Sequence, residues 1–255
     1  MAQNRPDSPR DSRSAKIQAA QKAGPSAGAS RMTIAAIVFI VAVIAVVGGV
    51  ILTQKSSEKK AAAGGNSVPT GASATAGYPG NTGVTLVSGA PTLALYEDFQ
   101  CPNCALFEKT FGPTIKELAG AGKVKLEYHI LNFLDDSGGN QSTTVANGVF
   151  CAADAGRFQA FHDAAFVGQF PEGQNVTVDD ITKFAETAGL SGDSLSTWKT
   201  CVKAGKYTKF ITDTNDAAFK ISGFRGTPTV ILNGKTLELS TPESLAAAVQ
   251  AATTK

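Results

Sequence analysis

The chain has 255 residues, 43% of them apolar, which is enough for one or two ordinary domains with a substantial core, so size alone demands no disulfides. Its formal charge of +2 divides unevenly: Met1 to Lys60 carries nine basic and three acidic residues, the remainder fourteen basic and eighteen acidic. A mildly acidic globular part without a Lys/Arg cluster argues against nucleic acid as a partner.

Residues 1–33 are polar at first, rich in Ser, Ala, Pro and Arg, with no sustained apolar periodicity, and are expected to be a flexible cytoplasmic tail. Ile34 to Leu52 is uninterrupted by charge. As a helix it would span roughly 28 Å against a hydrocarbon core of about 30 Å, which predicts a single transmembrane helix over 34–53. The long preceding tail and Lys59-Lys60 speak against a cleaved signal peptide. Lys16, Lys22 and Arg31 are balanced by Lys55, Lys59 and Lys60, and only the farther Arg5, Arg10 and Arg13 favour an N-terminus in the cytoplasm. All four cysteines follow the span, and a disulfide-bearing domain belongs outside. Residues 54–82, rich in Gly, Ser, Ala and Thr, read as a flexible linker with a reach of roughly 30 Å.

From Val84 the pattern changes. VTLVSG and PTLALYEDF are apolar or alternating runs bounded by Gly and Pro, which predicts strands. A helix is expected from Pro102, a residue suited to a first helical turn, and Gly112-Pro113 is expected to kink or break it before IKELAG. KVKLEYHIL alternates as a strand. Residues 141–222 hold the amphipathic stretches TTVANGVFCAADAG, FQAFHDAAF, VDDITKFAETAGL, LSTWKTCVKAG and YTKFITDTNDAAFKI, with no convincing strand. TPTVILNGKTLEL sets two apolar runs around Asn233-Gly234, a type I′ hairpin signal, and a helix is expected from Pro242 to Ala252. This order predicts an α/β domain over 83–255: a small mixed sheet with helices on its faces and an all-helical insertion over about 139–222.

In EDFQCPNCALFE, Cys101 and Cys104 flank Pro102 and Asn103 at the start of the expected helix. A helix N-terminus offers unpaired N–H donors and a positive dipole end, which favours a thiolate at Cys101. A lowered thiol pKa makes a better leaving group in exchange and favours the disulfide as an oxidant. The dipole contributes at most about 2 kcal/mol, roughly 1.5 pKa units. A strong oxidant therefore needs further donors, from the Cys104 N–H or neighbouring side chains. A zinc site would need a second pair of ligands, but Cys151 and Cys201 stand alone, and His129 and His162 have no ligand-like spacing. An inert local disulfide would close a tiny loop and stabilise little. A redox centre is the reading these residues support best.

CPNC after a strand, then EYHILNF, a helical insertion and RGTPTVILNG resembles the DsbA-like branch of the thioredoxin superfamily, and among it the membrane-anchored actinobacterial forms, over about residues 84–252. The resemblance implies a thioredoxin-like fold in which Cys101 is the exposed nucleophile and Cys104 its buried partner. It also implies a cis peptide bond between Thr227 and Pro228 beside the disulfide, where the sheet edge can pair with an extended client peptide. No metal and no organic cofactor is called for. Two positions depart from the family pattern. An acid often stands six residues before the first cysteine, where this chain has Leu95; Glu97 and Asp98 lie nearer. Asp98 is expected either to shuttle a proton or to be a solvated carboxylate at a strand end. Asn103 stands where the best-known oxidases have histidine, so that cationic stabiliser of the thiolate is absent.

Cys151 and Cys201 fall on helical patterns within the insertion. Pairing them would close a loop worth about 4 kcal/mol, and their apolar settings favour a structural disulfide over a second redox relay. His129 and His162 are expected to be ordinary packed or surface histidines. Phe99, Phe107 and Phe224 are expected either in the core or along an exposed apolar groove for unfolded clients. These readings predict a single-pass cell-membrane protein whose extracytoplasmic domain introduces disulfides into secreted or cell-envelope clients with reduced cysteines. The resemblance implies a quinone-linked membrane reoxidant of the vitamin K epoxide reductase type. The competing readings are a reductase or isomerase kept reduced by an electron-donating partner, and a non-catalytic, copper chaperone-like metal-binding module.

Overall fold

Strand β2 (Thr92–Asp98) is buried on both faces, and the elements around it are those needed to cover it. The structure, a computed structural model, describes residues 65–253. Strand β2 pairs in parallel with β3 (Lys125–Leu131) and antiparallel with β4 (Thr229–Leu232). The short strands β1 (Tyr78–Pro79) and β5 (Lys235–Thr236) close the edges in the order β1-β3-β2-β4-β5. Parallel pairing of β2 and β3 needs a crossover, which helix α1 (Pro102–Gly120) supplies. Alternate side chains divide the sheet between two faces. Leu93, Leu95, Leu126, Tyr128, Ile130, Val230 and Leu232 join the main core beneath α1. Ala94, Tyr96, Leu131 and Ile231 form a smaller cluster on the other side.

The insertion comprises α2 (Gln141–Ala153), α3 (Phe158–Val167), α4 (Val178–Thr187), α5 (Gly192–Lys203) and α6 (Thr208–Ala218). Helix α3 packs on α1, and α6 packs on β3. Trp198 is buried in this block, and its indole Nε1–H donates to the Gly148 carbonyl at 2.9 Å. A Cβ at Gly148 would stand 2.9 Å from the Phe161 ring, so the close approach requires glycine. Cys151 and Cys201 form a disulfide that ties α2 to α5 across a sequence separation of 50. The chain ends in α7 (Pro242–Thr253), packed on α1.

The turn between β4 and β5 has positive φ at Asn233 (48°) and Gly234 (79°), the backbone of a type I′ hairpin. The Asn233 side-chain oxygen accepts from the Thr92 N–H at 2.9 Å, clamping the hairpin to the start of β2.

Three expectations are corrected. VTLVSG forms no strand; Leu86 and Val87 are exposed and have no sheet face to fill. Helix α1 runs unbroken through Gly112-Pro113. Pro113 lies on its exposed side, while Phe111, Ile115 and Leu118 hold the other side in the core, offsetting the missing backbone bond. The C-terminal part of the expected linker is packed. Gly65 N donates to the Gly205 carbonyl at 2.8 Å. Tyr78 stacks on Phe158 at 4.2 Å, and the Asn81 side chain bonds Ala119 O, Val124 O and Leu126 N at 2.9–3.1 Å. Small residues that read as tether are there for contact: Gly77 has φ 64°, and a Cβ on it would stand 2.6 Å from the Tyr128 carbonyl oxygen. A 3₁₀ helix at Phe133–Ser137 was not expected. The expected tail, the transmembrane helix over 34–53 and the first part of the linker lie outside the described residues. Among the described residues no helix is long and apolar enough to cross a membrane.

A cross-link spanning 50 residues restricts the unfolded chain by about 4 kcal/mol. Replacing both Cys151 and Cys201 by Ala should lower the urea-unfolding free energy by up to that amount while leaving Cys101 and Cys104 reactive; an unchanged unfolding midpoint would contradict the structural role.

Candidate active site

The turn from β2 into α1 is built by the Asp98 carboxylate. One of its oxygens accepts from the Gln100 N–H at 2.8 Å and the Ser142 hydroxyl at 2.5 Å, and the other accepts from the Leu134 N–H at 3.3 Å. Its own carbonyl takes the Cys101 N–H at 3.0 Å. Burial pushes this carboxyl up to about 7, against the lowering effect of these bonds. The insertion supplies a second clamp: the Gln169 side-chain amide donates to the carbonyls of Phe99 (2.7 Å) and Cys101 (3.0 Å). Gln100 reaches back to Asp135 and Ser142 at 3.1 Å each. Cys101 is thereby held as the N-cap of α1, with Pro102 in the first turn.

The two sulfurs are placed in opposite environments. The Cys101 thiol is lowered to about 6, first by a hydrogen bond from the Cys104 thiol. Burial opposes this, and the Thr227 hydroxyl and the N–H groups of Cys104 and Asn103 reinforce it. The Thr227 hydroxyl is buried and has no hydrogen-bond partner of its own, which leaves its proton free to turn towards the sulfur. The Cys101 sulfur also lies 3.4 Å from the Thr227 carbonyl, next to the cis Thr227–Pro228 peptide. Cys104 is fully buried. Burial pushes its thiol far above the ordinary range, and its bond to Cys101 and the charge of Glu97 act in the same direction. At pH 7 a thiol with a pKa of about 6 is roughly nine-tenths thiolate, so reduced Cys101 is an anion and Cys104 its proton donor.

Behind the pair lies a buried polar group. Glu97 shares the sheet face of Leu93 and Leu95, towards α1, and its Oε2 lies 3.0 Å from His162 Nε2 of α3. The imidazole is packed among Phe99, Tyr128, Phe158 and Phe166. Burial would lower His162, but Asp163, Glu97 and Glu108 hold it up to about 10. Burial and the charge of Glu97 push Glu108 up to about 8.

The structure brings Cys101, Cys104, Thr227 and Pro228 together and keeps Cys151 and Cys201 apart from them, within the insertion. Several expectations are corrected. Cys101 is not broadly exposed but 6% accessible, because the Thr227 segment and the Gln169 clamp close over it. Asp98 is fully buried rather than solvated. Phe99 and Phe107 are buried, so no exposed groove joins them to Phe224, which packs on Tyr96. A pocket of about 300 Å³ lies beside Pro228 instead, lined by Phe107, Phe111, Arg225, Leu237 and Leu239 among others. His129 is packed, as expected: it is buried, stacked on Tyr96 at 4.1 Å and lowered to about 4 by burial. His162 is ion-paired rather than simply packed. Glu97, Glu108, Gln100 and Gln169 were not singled out as site residues by sequence reasoning. Only the period-two pattern of β2, which sets Glu97 on the face of Leu95, could have signalled one of them.

A family model described as thioredoxin matches residues 87–251. The chain belongs to the thioredoxin family, as a DsbA-like thiol:disulfide oxidoreductase. Among solved structures it is similar to oxidised DsbA of Mycobacterium tuberculosis, with 29% identity and a TM-score of 0.57 over 68% of this chain and 90% of that one. It is also similar to MdbA of Actinomyces oris, a thiol-disulfide oxidoreductase, with 26% identity and a TM-score of 0.61 over 72% and 92%. Among curated proteins it matches the serine/threonine-protein kinase PknE of Mycobacterium tuberculosis, 29% identical over 164 residues, 59% of this chain. This chain spans 28% of that kinase's length.

Because the folded pKa of Cys101 is depressed, the stabilisation of the reduced form is complete above about 9 and is lost as pH falls through about 6. The ultraviolet thiolate signal of the reduced protein should titrate near 6. Thr227→Val, which keeps the side-chain shape and removes the hydroxyl, should move the midpoint upward. An unchanged midpoint would show that the hydroxyl does not act on the sulfur.

Proposed function

We propose that this domain is an extracytoplasmic disulfide oxidase, tethered to the cell membrane by Ile34 to Leu52 with the N-terminus in the cytoplasm, which passes its Cys101–Cys104 disulfide to secreted or cell-envelope proteins. The observation that carries the direction of transfer is the contrast between the two sulfurs: a stabilised Cys101 thiolate makes reduction of the pair favourable, and so makes its disulfide an oxidant.

A client thiolate attacks Cys101 Sγ, the Cys101–Cys104 bond breaks, and Cys104 leaves and takes up a proton, since its buried anion is strongly disfavoured. A second client thiolate then attacks the client sulfur of the mixed disulfide. The client disulfide forms and Cys101 leaves as the stabilised thiolate. Two electrons have passed from client to enzyme. The pocket beside Pro228, lined by apolar and polar side chains alike, offers room for a client side chain flanking the reacting cysteine. Regeneration returns both electrons to a quinone-linked membrane partner of the vitamin K epoxide reductase type, while the structural Cys151–Cys201 disulfide takes no part.

Cys104→Ser should accumulate mixed disulfides with envelope proteins through Cys101 in cells, and Cys101→Ser should accumulate none. In the wild type the pair should be mostly oxidised. A wild-type pair found mostly reduced would contradict the oxidase direction.

A further inference from the structure

We propose that Glu97, Glu108 and His162 form a binding site for a divalent transition-metal cation of the Zn²⁺ class, separate from the two thiols and reached through the cavity between α1 and α3. One ligand atom from each residue lies within 4.8 Å of the other two, from β2, α1 and α3 respectively. In a tetrahedral site with ligands at about 2.0–2.1 Å, ligand atoms stand about 3.3 Å apart; His162 Nε2 and Glu97 Oε2 are already 3.0 Å apart. Two carboxylate oxygens of the cluster are buried without a hydrogen-bond partner: Glu97 Oε1 and Glu108 Oε1. Glu97 and His162 are both fully buried. Buried polar atoms left in this way are costly unless a ligand satisfies them.

The surroundings suit a cation. His162 Nδ1 faces Asp163 Oδ1 at 3.7 Å, and Asp163 is fixed by Lys116 at 2.8 Å and Gln159 at 2.9 Å. A carboxylate behind the far ring nitrogen of a ligating histidine holds the other nitrogen towards the metal. Binding would displace the protons held by His162 and Glu108, and two carboxylates and the resulting neutral imidazole around a divalent cation leave no net charge in a buried site. One nitrogen and two carboxylate groups suit Zn²⁺ better than Ca²⁺ or Mg²⁺, which take six or more oxygen ligands. Glu108 and Asp163 both line a cavity of about 710 Å³ between α1 and α3, which gives the cation an entry path and water as a fourth ligand. On α1, Gly112 makes room for the Glu108 carboxylate: a Cβ there would stand 2.7 Å from Glu108 Oε2.

The test is titration of the oxidised full-length protein, whose Cys101–Cys104 disulfide takes the thiols out of play, with Zn²⁺ by calorimetry and with Co²⁺ for the visible bands of a tetrahedral site. One equivalent should bind. Glu108→Gln, which removes a direct ligand, should weaken it by about a hundredfold or more, and Gly112→Ala, which keeps every ligand and favours the helix but displaces the Glu108 carboxylate, by about tenfold to a hundredfold. Glu117→Gln, on the exposed side of the same helix, should bind as the wild type does. Absence of stoichiometric binding, or binding that Glu108→Gln and Gly112→Ala leave intact, would overturn the proposal. Neither result depends on the direction of thiol–disulfide exchange.

Discussion

The hydrogen bond from the buried Cys104 thiol to the Cys101 sulfur, made at the mouth of helix α1, is the interaction on which the chemistry depends. It favours a negative sulfur at one position and disfavours it three residues later, although both belong to the same helix turn. A dipole contribution of at most about 2 kcal/mol would not by itself lower Cys101 from 9.0 to about 6. The thiol of Cys104, the Thr227 hydroxyl and two backbone N–H groups supply the remainder. The Cys104 thiol becomes a donor only once the disulfide has opened and its sulfur has taken up a proton, but the Thr227 hydroxyl and the backbone N–H groups must be in place beforehand, because donors that had to be recruited during exchange would cost ordering entropy at that moment.

That requirement explains the polar investment around the β2–α1 turn. Asp98, Gln100, Ser142 and Asp135 form a chain of hydrogen bonds from the end of the central strand into the insertion. Gln169 fastens two further carbonyls from the opposite side. Asp98, Gln100 and Ser142 are nearly or fully inaccessible to water, and buried polar groups of this kind stabilise one arrangement strongly only when all their partners are present. The insertion therefore sets the geometry of the helix mouth in addition to covering the sheet. Its own disulfide holds α2, which carries Ser142, against α5.

Much of this was legible in the sequence where local pattern and physical requirement coincide. The alternating KVKLEYHIL, the apolar TLALYED, the Asn233-Gly234 turn and the cysteines on either side of Pro102 each carry a short-range signal, and the structure places strand, strand, hairpin and helix mouth there. The helix through Pro113 and the packed segment from Gly65 were not legible, because tertiary burial decides both. Glu97, Glu108 and His162 lie far apart in the chain and meet only through the stacking of β2, α1 and α3, so no spacing betrays them. The acid absent from position 95 has a counterpart two residues on, where the pleat returns a side chain to the same face; Leu95 fills the core and Glu97 faces His162.

Equilibration of the Cys101–Cys104 pair with glutathione redox buffers tests the central claim most directly, since it weighs the stabilised thiolate against the disulfide. A thiol at about 6 lies between those of thioredoxin, about 7, and DsbA, about 3.5. The account therefore predicts a reduction potential between their values of about −270 and about −120 mV. A potential at or below that of thioredoxin would contradict it.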